Sequence, residues 1–391
     1  MTVFFCAHYD PHMRSHWSGP VTNELPESVE ALVIGAGVSG LSAAMALHGS
    51  GVDTLVVERG AVGSGASTKN AGYLMRGGAD NYAAAVDLFG REGAAGLWRA
   101  TEENLERLIA LGVESVDGFE RRPSTLLAYE DDEDLDIEAS AAMMREDGFD
   151  AELVTSGEDT LWREMPPRCA LVNPGDAVVN PERMITWLRS HVRAPIAKRT
   201  EVFDLIESDA GVTVRTSAGD IRAERVLVCA NAWASRLVDC PVVANRGQML
   251  ALRVPESVRL DHAYSANRGS EYFRAAEPGG VVVGGWRKHF EHEERTDTAG
   301  VSVNVQRGLE DFAARALGGR YPVIARWGGV MGFSPAGLPR VGPVSEAGRL
   351  WCCAGFTGHG MSLGHVTATH AALAMAGSSP VPPWSRPVRS G

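Results

Sequence analysis

The chain has 391 residues, enough to bury a large core in two or three domains. Its 45% hydrophobic content is ordinary for a globular protein, and a net charge of −12 favours solubility and argues against a broad nucleic-acid surface. No apolar run approaches the ~20 residues of a membrane helix, and the opening Met-Thr-Val-Phe-Phe-Cys lacks the basic segment and apolar core of a secretory signal.

Residues 1–29 read as an N-terminal extension holding Cys6, His8, Asp10, His12 and His16. Pro11 and the mixed spacing favour an arm packed on the body over a metal site. The run Ala31-Leu32-Val33-Ile34 is a buried parallel strand by its composition, and Gly35-Ala36-Gly37-Val38-Ser39-Gly40 follows it. Val38, Leu41 and Met45 recur at helical spacing, so the helix begins at Val38 and Ser39. Leu55-Val56-Val57 is a second strand, closed by Glu58 eighteen residues after Gly40. Strand, glycines, helix and acid stand in the register of a dinucleotide-binding unit. Gly35 permits the tight turn, Gly37 lets backbone approach a pyrophosphate, and Gly40 lets helix pack on strand. The helix start faces the phosphates, and Glu58 accepts both ribose hydroxyls.

Arg59 then opens a second glycine and hydroxyl loop, with Gly65, Ala66, Ser67, Asn70, Ala71 and Gly72. A nicotinamide enzyme has no use for it, whereas a longer dinucleotide does. The stretch resembles the FAD-dependent amine and amino-acid oxidase family of glycine oxidase, sarcosine oxidase and D-amino-acid oxidase. There a Gly-Ala-Ser-x-x-Asn-x-Gly segment runs under the ribityl chain. Two later blocks extend the likeness: 226–233, with Ala230 and Trp233, and the C-terminal Trp327-Gly328-Gly329, Ser334-Pro335 and Gly355-Phe356-Thr357-Gly358-His359-Gly360-Met361. The resemblance implies an α/β protein in which a Rossmann-like FAD-binding domain interleaves with a second, mainly antiparallel sheet forming a substrate domain. The cofactor segments are 30–79, 170–238 and 328–377, the substrate segments 80–169 and 239–327, and 378–391 is a loose tail. Val202 and Gly332 join the implied cofactor contacts.

Between the blocks, two amphipathic helices span 81–112, a strand 122–129 and an acidic helix 131–146. A helix at 181–192 takes Asn180 as its cap. Strands at 202–206, 212–216 and 226–230 follow, with a hairpin turn at 217–220. Strands at 247–253, 271–274 and 281–285 form the substrate-side sheet. Six cysteines without CxxC pairing read as reduced thiols in a cytoplasmic enzyme.

The resemblance implies hydride removal from a carbon bearing an amine nitrogen, giving an imine, with oxygen as the expected acceptor and hydrogen peroxide as its product. A substrate amine must be neutral to react, and a dry pocket with a positive neighbour lowers the cost of losing its proton. Arg76, Arg246, Arg274 and Arg287 are the candidates for that charge. His359, Arg76, Arg274 and Tyr272 are the expected catalytic set, and the helix after Gly360 aims its positive end at the flavin edge. The two arginines that hold a substrate carboxylate in glycine-oxidase-like members fall here at Met331 and Gly358. The turn is more similar to that of the γ-glutamylputrescine oxidase branch, which implies a small-molecule amine without an adjacent carboxylate. Gly329 replaces a flavin-linking cysteine, so FAD is expected to bind noncovalently. The oxygen-activating lysine falls within 281–283, which leaves a dehydrogenase, or an amino-acid oxidase using other arginines, as alternatives.

Overall fold

β1 (Ser28–Ile34) carries an apolar run because the inner part of a parallel sheet is covered on both faces. It enters a computed structural model that describes residues 25–130, 132–155, 167–276 and 279–385. The histidine-containing part of the extension lies outside the described residues.

From β1 the chain turns into α1 (Val38–Gly49), β2 (Thr54–Glu58), a 3-10 turn at Ala66–Thr68 and β3 (Tyr73–Leu74). The expected pair of helices is present as the two arms of α2 (Tyr82–Ala110), which meet at Gly90, whose φ of 74° no helix contains. β4 (Glu120–Arg121), β5 (Ser124–Leu127), α3 (Glu133–Glu146), β6 (Glu152–Thr155), β7 (Cys169–Asn173) and β8 (Ala177–Val178) come next. α4 (Pro181–His191) starts at Asn180, whose side chain accepts from the Glu182 and Arg183 amides. Then come β9 (Ile196–Lys198), β10 (Val202–Ser208), β11 (Gly211–Thr216) and β12 (Gly219–Val228). β13 (Val243–Arg253), β14 (Ala263–Ala266), β15 (Glu271–Ala276) and β16 (Gly280–Gly285) lead to the single turn α5 (Glu291–Glu294) and to α6 (Val303–Leu317). β17 (Val323–Phe333), β18 (Arg340–Pro343), β19 (Leu350–Ala354) and α7 (Gly360–Met375) end the described elements.

Two eight-stranded sheets result. In the first, β9, β2, β1, β12 and β19 run parallel, with Ile34 between Val57 and Val228. β10 and β11 fold back antiparallel on the first half of β12, and β18 on β19. The second sheet has the order β17-β13-β16-β15-β14-β5-β7-β6 and is antiparallel except at β14–β5. β7 and β17 belong to this second sheet, so residues 170–173 and 328–333 depart from the cofactor segments expected of them. Each pairs along its length with a second-sheet strand, and that pairing decides the matter.

α6 lays Val305, Leu309, Phe312, Ala313 and Ala316 against Leu250, Tyr264, Phe273, Val281 and Val283 on one face of the second sheet. Side chains alternate along a strand, so Tyr272, beside the covered Phe273, points to the opposite face. α7 is buried on nearly every side, between α1 and α2. Asn104 of α2 locks its first turns, donating to the Met361 carbonyl at 3.1 Å and accepting from the Val366 amide at 3.0 Å. That bond pair fixes the start of α7 against the space between the sheets.

Candidate active site

A cavity of about 650 Å³ runs from the β1–α1 turn to the open face of the second sheet. Gly35 makes its entrance turn with φ +105°, and a side chain there would meet the Cys229 carbonyl at 2.8 Å. Gly40 does not face the cavity. A Cβ on it would fall 1.8 Å from the Gly35 carbonyl oxygen, so its bareness is what lets α1 close on β1. Glu58 is held at the end of β2 by the Ala36 amide at 2.8 Å and the Gly60 amide at 2.7 Å. Those two bonds aim a carboxylate with unused lone pairs at the cavity it lines.

The loop after β2 is tied to itself and to α1. Ser67 Oγ accepts from the Val38 amide at 3.0 Å and lies 2.9 Å from where a Gly37 Cβ would be. Asn70 donates to the Ala66 and Ser67 carbonyls at 3.0 Å and accepts from the Gly72 amide at 2.7 Å. Arg59 stacks over Trp233 at 3.9 Å. Ser39, Gly65, Ala66, Ala71, Val202 and Ala230 complete this end of the cavity. Gly332 and Gly355 stand behind the wall. They pack on Asn231, whose side-chain oxygen accepts from the Gly355 amide at 3.0 Å. Asn231 itself lines the cavity at φ +43°, and only its place beside Ala230 in the sequence marks it.

These residues fit a long dinucleotide. α1 begins at Gly37 with no cap from that residue and no acid in its first turn; Ser67 Oγ takes the Val38 amide, and Ser39 after it lines the cavity. α7 begins at His359 in the same way, also at the cavity. Two helix starts joined by one groove suit a ligand with negative charge at two places.

At the far end the cavity is walled by Tyr272, Arg287, Met331, Phe333, Thr357, Gly358, His359, Gly360 and Met361. His359 Nδ1 lies 3.2 Å from the Thr357 carbonyl. A carbonyl only accepts, so Nδ1 carries the proton and Nε2 keeps a lone pair. Burial holds this imidazole below the usual histidine range. Tyr272 is pushed up to about 12, first by burial.

Three expectations change. Arg274 does not reach the cavity, because its guanidinium donates to the carbonyls of Ala71, Val179 and Ala275. It clamps the 71–72 loop to β8's end, and its catalytic role is withdrawn. Arg76 lines the cavity, yet it donates to the Asp150 carbonyl at 2.8 Å and lies 3.4 Å from Glu102 and 3.6 Å from Asp176. Its charge is already answered within the chain. Arg246 is forked onto Glu294 at 3.0 and 2.6 Å. Of the four arginines, Arg287 alone faces the cavity with no carboxylate within 4 Å among the described residues.

A parallel dinucleotide-binding sheet whose cavity opens under a second, antiparallel sheet defines a two-sheet dinucleotide-binding protein. The chain belongs to the family described as DAO, FAD dependent oxidoreductase, which matches residues 30–373, and FAD is its cofactor. It is 24% identical to a glycine oxidase of Geobacillus kaustophilus over 356 residues, 86% of this chain and 90% of that one. A glycine oxidase of Pseudomonas aeruginosa is 29% identical over 231 residues, 54% of this chain and 59% of that enzyme's length. The crystal structure of the Geobacillus kaustophilus glycine oxidase superposes with a TM-score of 0.78 at 21% identity, covering 94% of this chain and 100% of that chain. Among the described residues no helix is long and apolar enough to cross a membrane.

Proposed function

We propose that this FAD-dependent oxidoreductase oxidises a C–N bond in a small amine whose reacting carbon bears no carboxylate. The overall reaction converts amine and oxygen to imine and hydrogen peroxide, and water then opens the imine to a carbonyl compound with release of ammonia or an amine. The glycine oxidase names of its relatives support C–N chemistry. The observation that carries the reading is the single cavity joining the Glu58 end to the His359 end. Bound noncovalently there, FAD supplies the hydride acceptor. Gly329, packed on Lys69, has no side chain with which to bond it.

The chain's own residues do the rest. The free amides at the start of α7 place partial positive charge where negative charge collects during the reaction. His359 Nε2, with its lone pair, accepts the proton that a substrate ammonium must lose. Arg287 adds a fixed positive charge that disfavours the ammonium form. Arg76 and Arg274 are spent on internal partners, so neither is available to a substrate α-carboxylate.

The test is an anaerobic panel of amines and amino acids, read as bleaching of the flavin spectrum. Primary or secondary amines without an α-carboxylate should bleach it. Reduction by glycine and D-amino acids alone would overturn the substrate class. Under air, peroxide should appear in step with imine-derived carbonyl; turnover that needs an added dye instead would make the enzyme a dehydrogenase.

A further inference from the structure

Seven cations line the cavity. Arg76, Arg236, Arg268 and Lys288 each have a carboxylate partner in Glu102, Asp297, Asp136 and Glu130. Arg59 lies on Trp233 at the dinucleotide end, and Lys69 packs against Gly329 midway. At the end under the second sheet, Arg287 is left without a counter-charge among the described residues.

Its position is built rather than incidental. Trp286, just before it, sits at φ +63°, a left-handed conformation that a large side chain rarely adopts. What holds it is the indole, which packs so tightly on α6 that a Cβ on Gly308 would lie 1.9 Å from Trp286 Nε1. The chain therefore reverses directly after β16 and sends Arg287 back into the cavity. There its guanidinium lies over the Phe333 ring at 4.6 Å. An aromatic platform engages the face of the guanidinium and leaves the N–H edge unspent. Beside it the Tyr272 hydroxyl has no hydrogen-bond partner among the described residues, and the Arg287 charge acts on it. A tyrosine phenol is protonated at neutral pH, and burial pushes this one further up, so it is a donor.

We propose that Arg287 and Tyr272 form the seat for a carboxylate carried by the substrate away from its reacting carbon, so that the substrate class is an amine with a second, carboxylate end. The assignment rests on the amine-oxidising reading above. A planar fork on a flat ring offers two parallel N–H groups, which match the two oxygens of a carboxylate. One unanswered positive charge also balances one negative charge and would leave a dianion half neutralised.

The test uses the FAD-loaded enzyme with butanoate as the probe and butyramide as its uncharged counterpart, each read by the perturbation of the visible flavin spectrum. Butanoate should saturate, and butyramide should bind at least tenfold more weakly. Arg287→Met should weaken butanoate by roughly 30-fold and Tyr272→Phe by roughly 15-fold, within the range of hydrogen bonds to a charged group. Arg287→Lys should recover part of the loss, since it restores charge without the fork. In turnover, Arg287→Met should raise KM at least tenfold more for amines bearing a distal carboxylate than for their uncharged counterparts, whatever it does to the turnover the two share. Equal butanoate affinity in wild type and Arg287→Met, at equal FAD content, overturns the seat. If Arg287→Met does not retain FAD, Arg287→Lys and Tyr272→Phe decide by the same titration. Butanoate binding that depends on Arg287 while no amine bleaches the flavin would sink the proposed reaction and leave the seat standing.

Discussion

His365 sits in the middle of α7, 3% exposed, with Nδ1 2.9 Å from Ser42 Oγ. The Ser42 hydroxyl donates to the Val38 carbonyl at 2.7 Å, so it can only accept from the ring, and Nδ1 carries a proton. Burial, then Arg107, pushes this histidine down to about 4 from an unfolded value near 6.5. The folded form binds the proton less readily than the unfolded chain, so stability is whole above the unfolded value and is lost as pH falls toward 4. Between pH 7 and 5 the loss from this group should be about 2 kcal/mol. Asp176, pushed up to about 6 by burial, works in the opposite direction, its stabilisation being lost as pH rises. Comparing urea unfolding of wild type and His365→Asn at the two pH values isolates the histidine, and equal slopes would refute the assignment. Single residues are also where sequence reasoning went furthest astray. Arg274 and Tyr272 are two apart on β15 and share a face, as alternation requires. Yet Arg274 ends on three carbonyls and Tyr272 ends in the cavity. No local pattern distinguishes a buried clamp from a substrate ligand, because both are arginine-compatible positions in the same strand.

At the scale of elements, the βαβ unit was legible because each of its requirements is local. The glycines at the turn, the helical spacing after them and the acid ending the next strand all fall within 31–58. The structure adds a ranking that the spacing alone does not contain. A Gly40→Ala side chain would overlap the Gly35 carbonyl at 1.8 Å, which is backbone and cannot turn aside. A Gly37→Ala side chain would meet Ser67 Oγ at 2.9 Å, the end of a rotatable side chain. Gly40→Ala should therefore purify with little or no FAD and a lowered melting temperature, while Gly37→Ala should keep FAD with weakened affinity. Flavin content by absorbance, with reconstitution titrations, reads both; the reverse order would contradict the packing. By contrast, β7 and β17 were placed on the wrong side of the domain division. Each is a short apolar run with no feature that names its neighbour, and strand partners are chosen by register across the sheet.

Across the whole molecule, the cavity is walled by both sheets, and it draws on segments as distant as 35–72, 200–233 and 356–362. Ligand that binds only the folded form stabilises everything whose unfolding destroys the site. FAD at 100 times its dissociation constant should add about 2.7 kcal/mol. Calorimetry should show one transition that moves up with FAD concentration. Two transitions, of which FAD moves only one, would show that the sheets unfold separately and that the second contributes nothing to cofactor binding. The interleaving itself was expected from three ordered blocks, and the α/β class, the two sheets and the FAD-dependent family follow from the same blocks. What the sequence by itself determined were the features written in contiguous residues: the dinucleotide turn, the Gly65 to Gly72 loop, the glycine-rich start of α7 and the capped α4. Only the tertiary structure decided which charges remain for a substrate. Whether an arginine is neutralised depends on carboxylates and carbonyls brought to it from elsewhere in the chain, such as Asp176 for Arg76, Val179 for Arg274 and Glu294 for Arg246. Arg287 stands apart because a tryptophan locked on a distant helix turns it toward Phe333, and electrostatic compensation is a property of distances that a linear order does not hold.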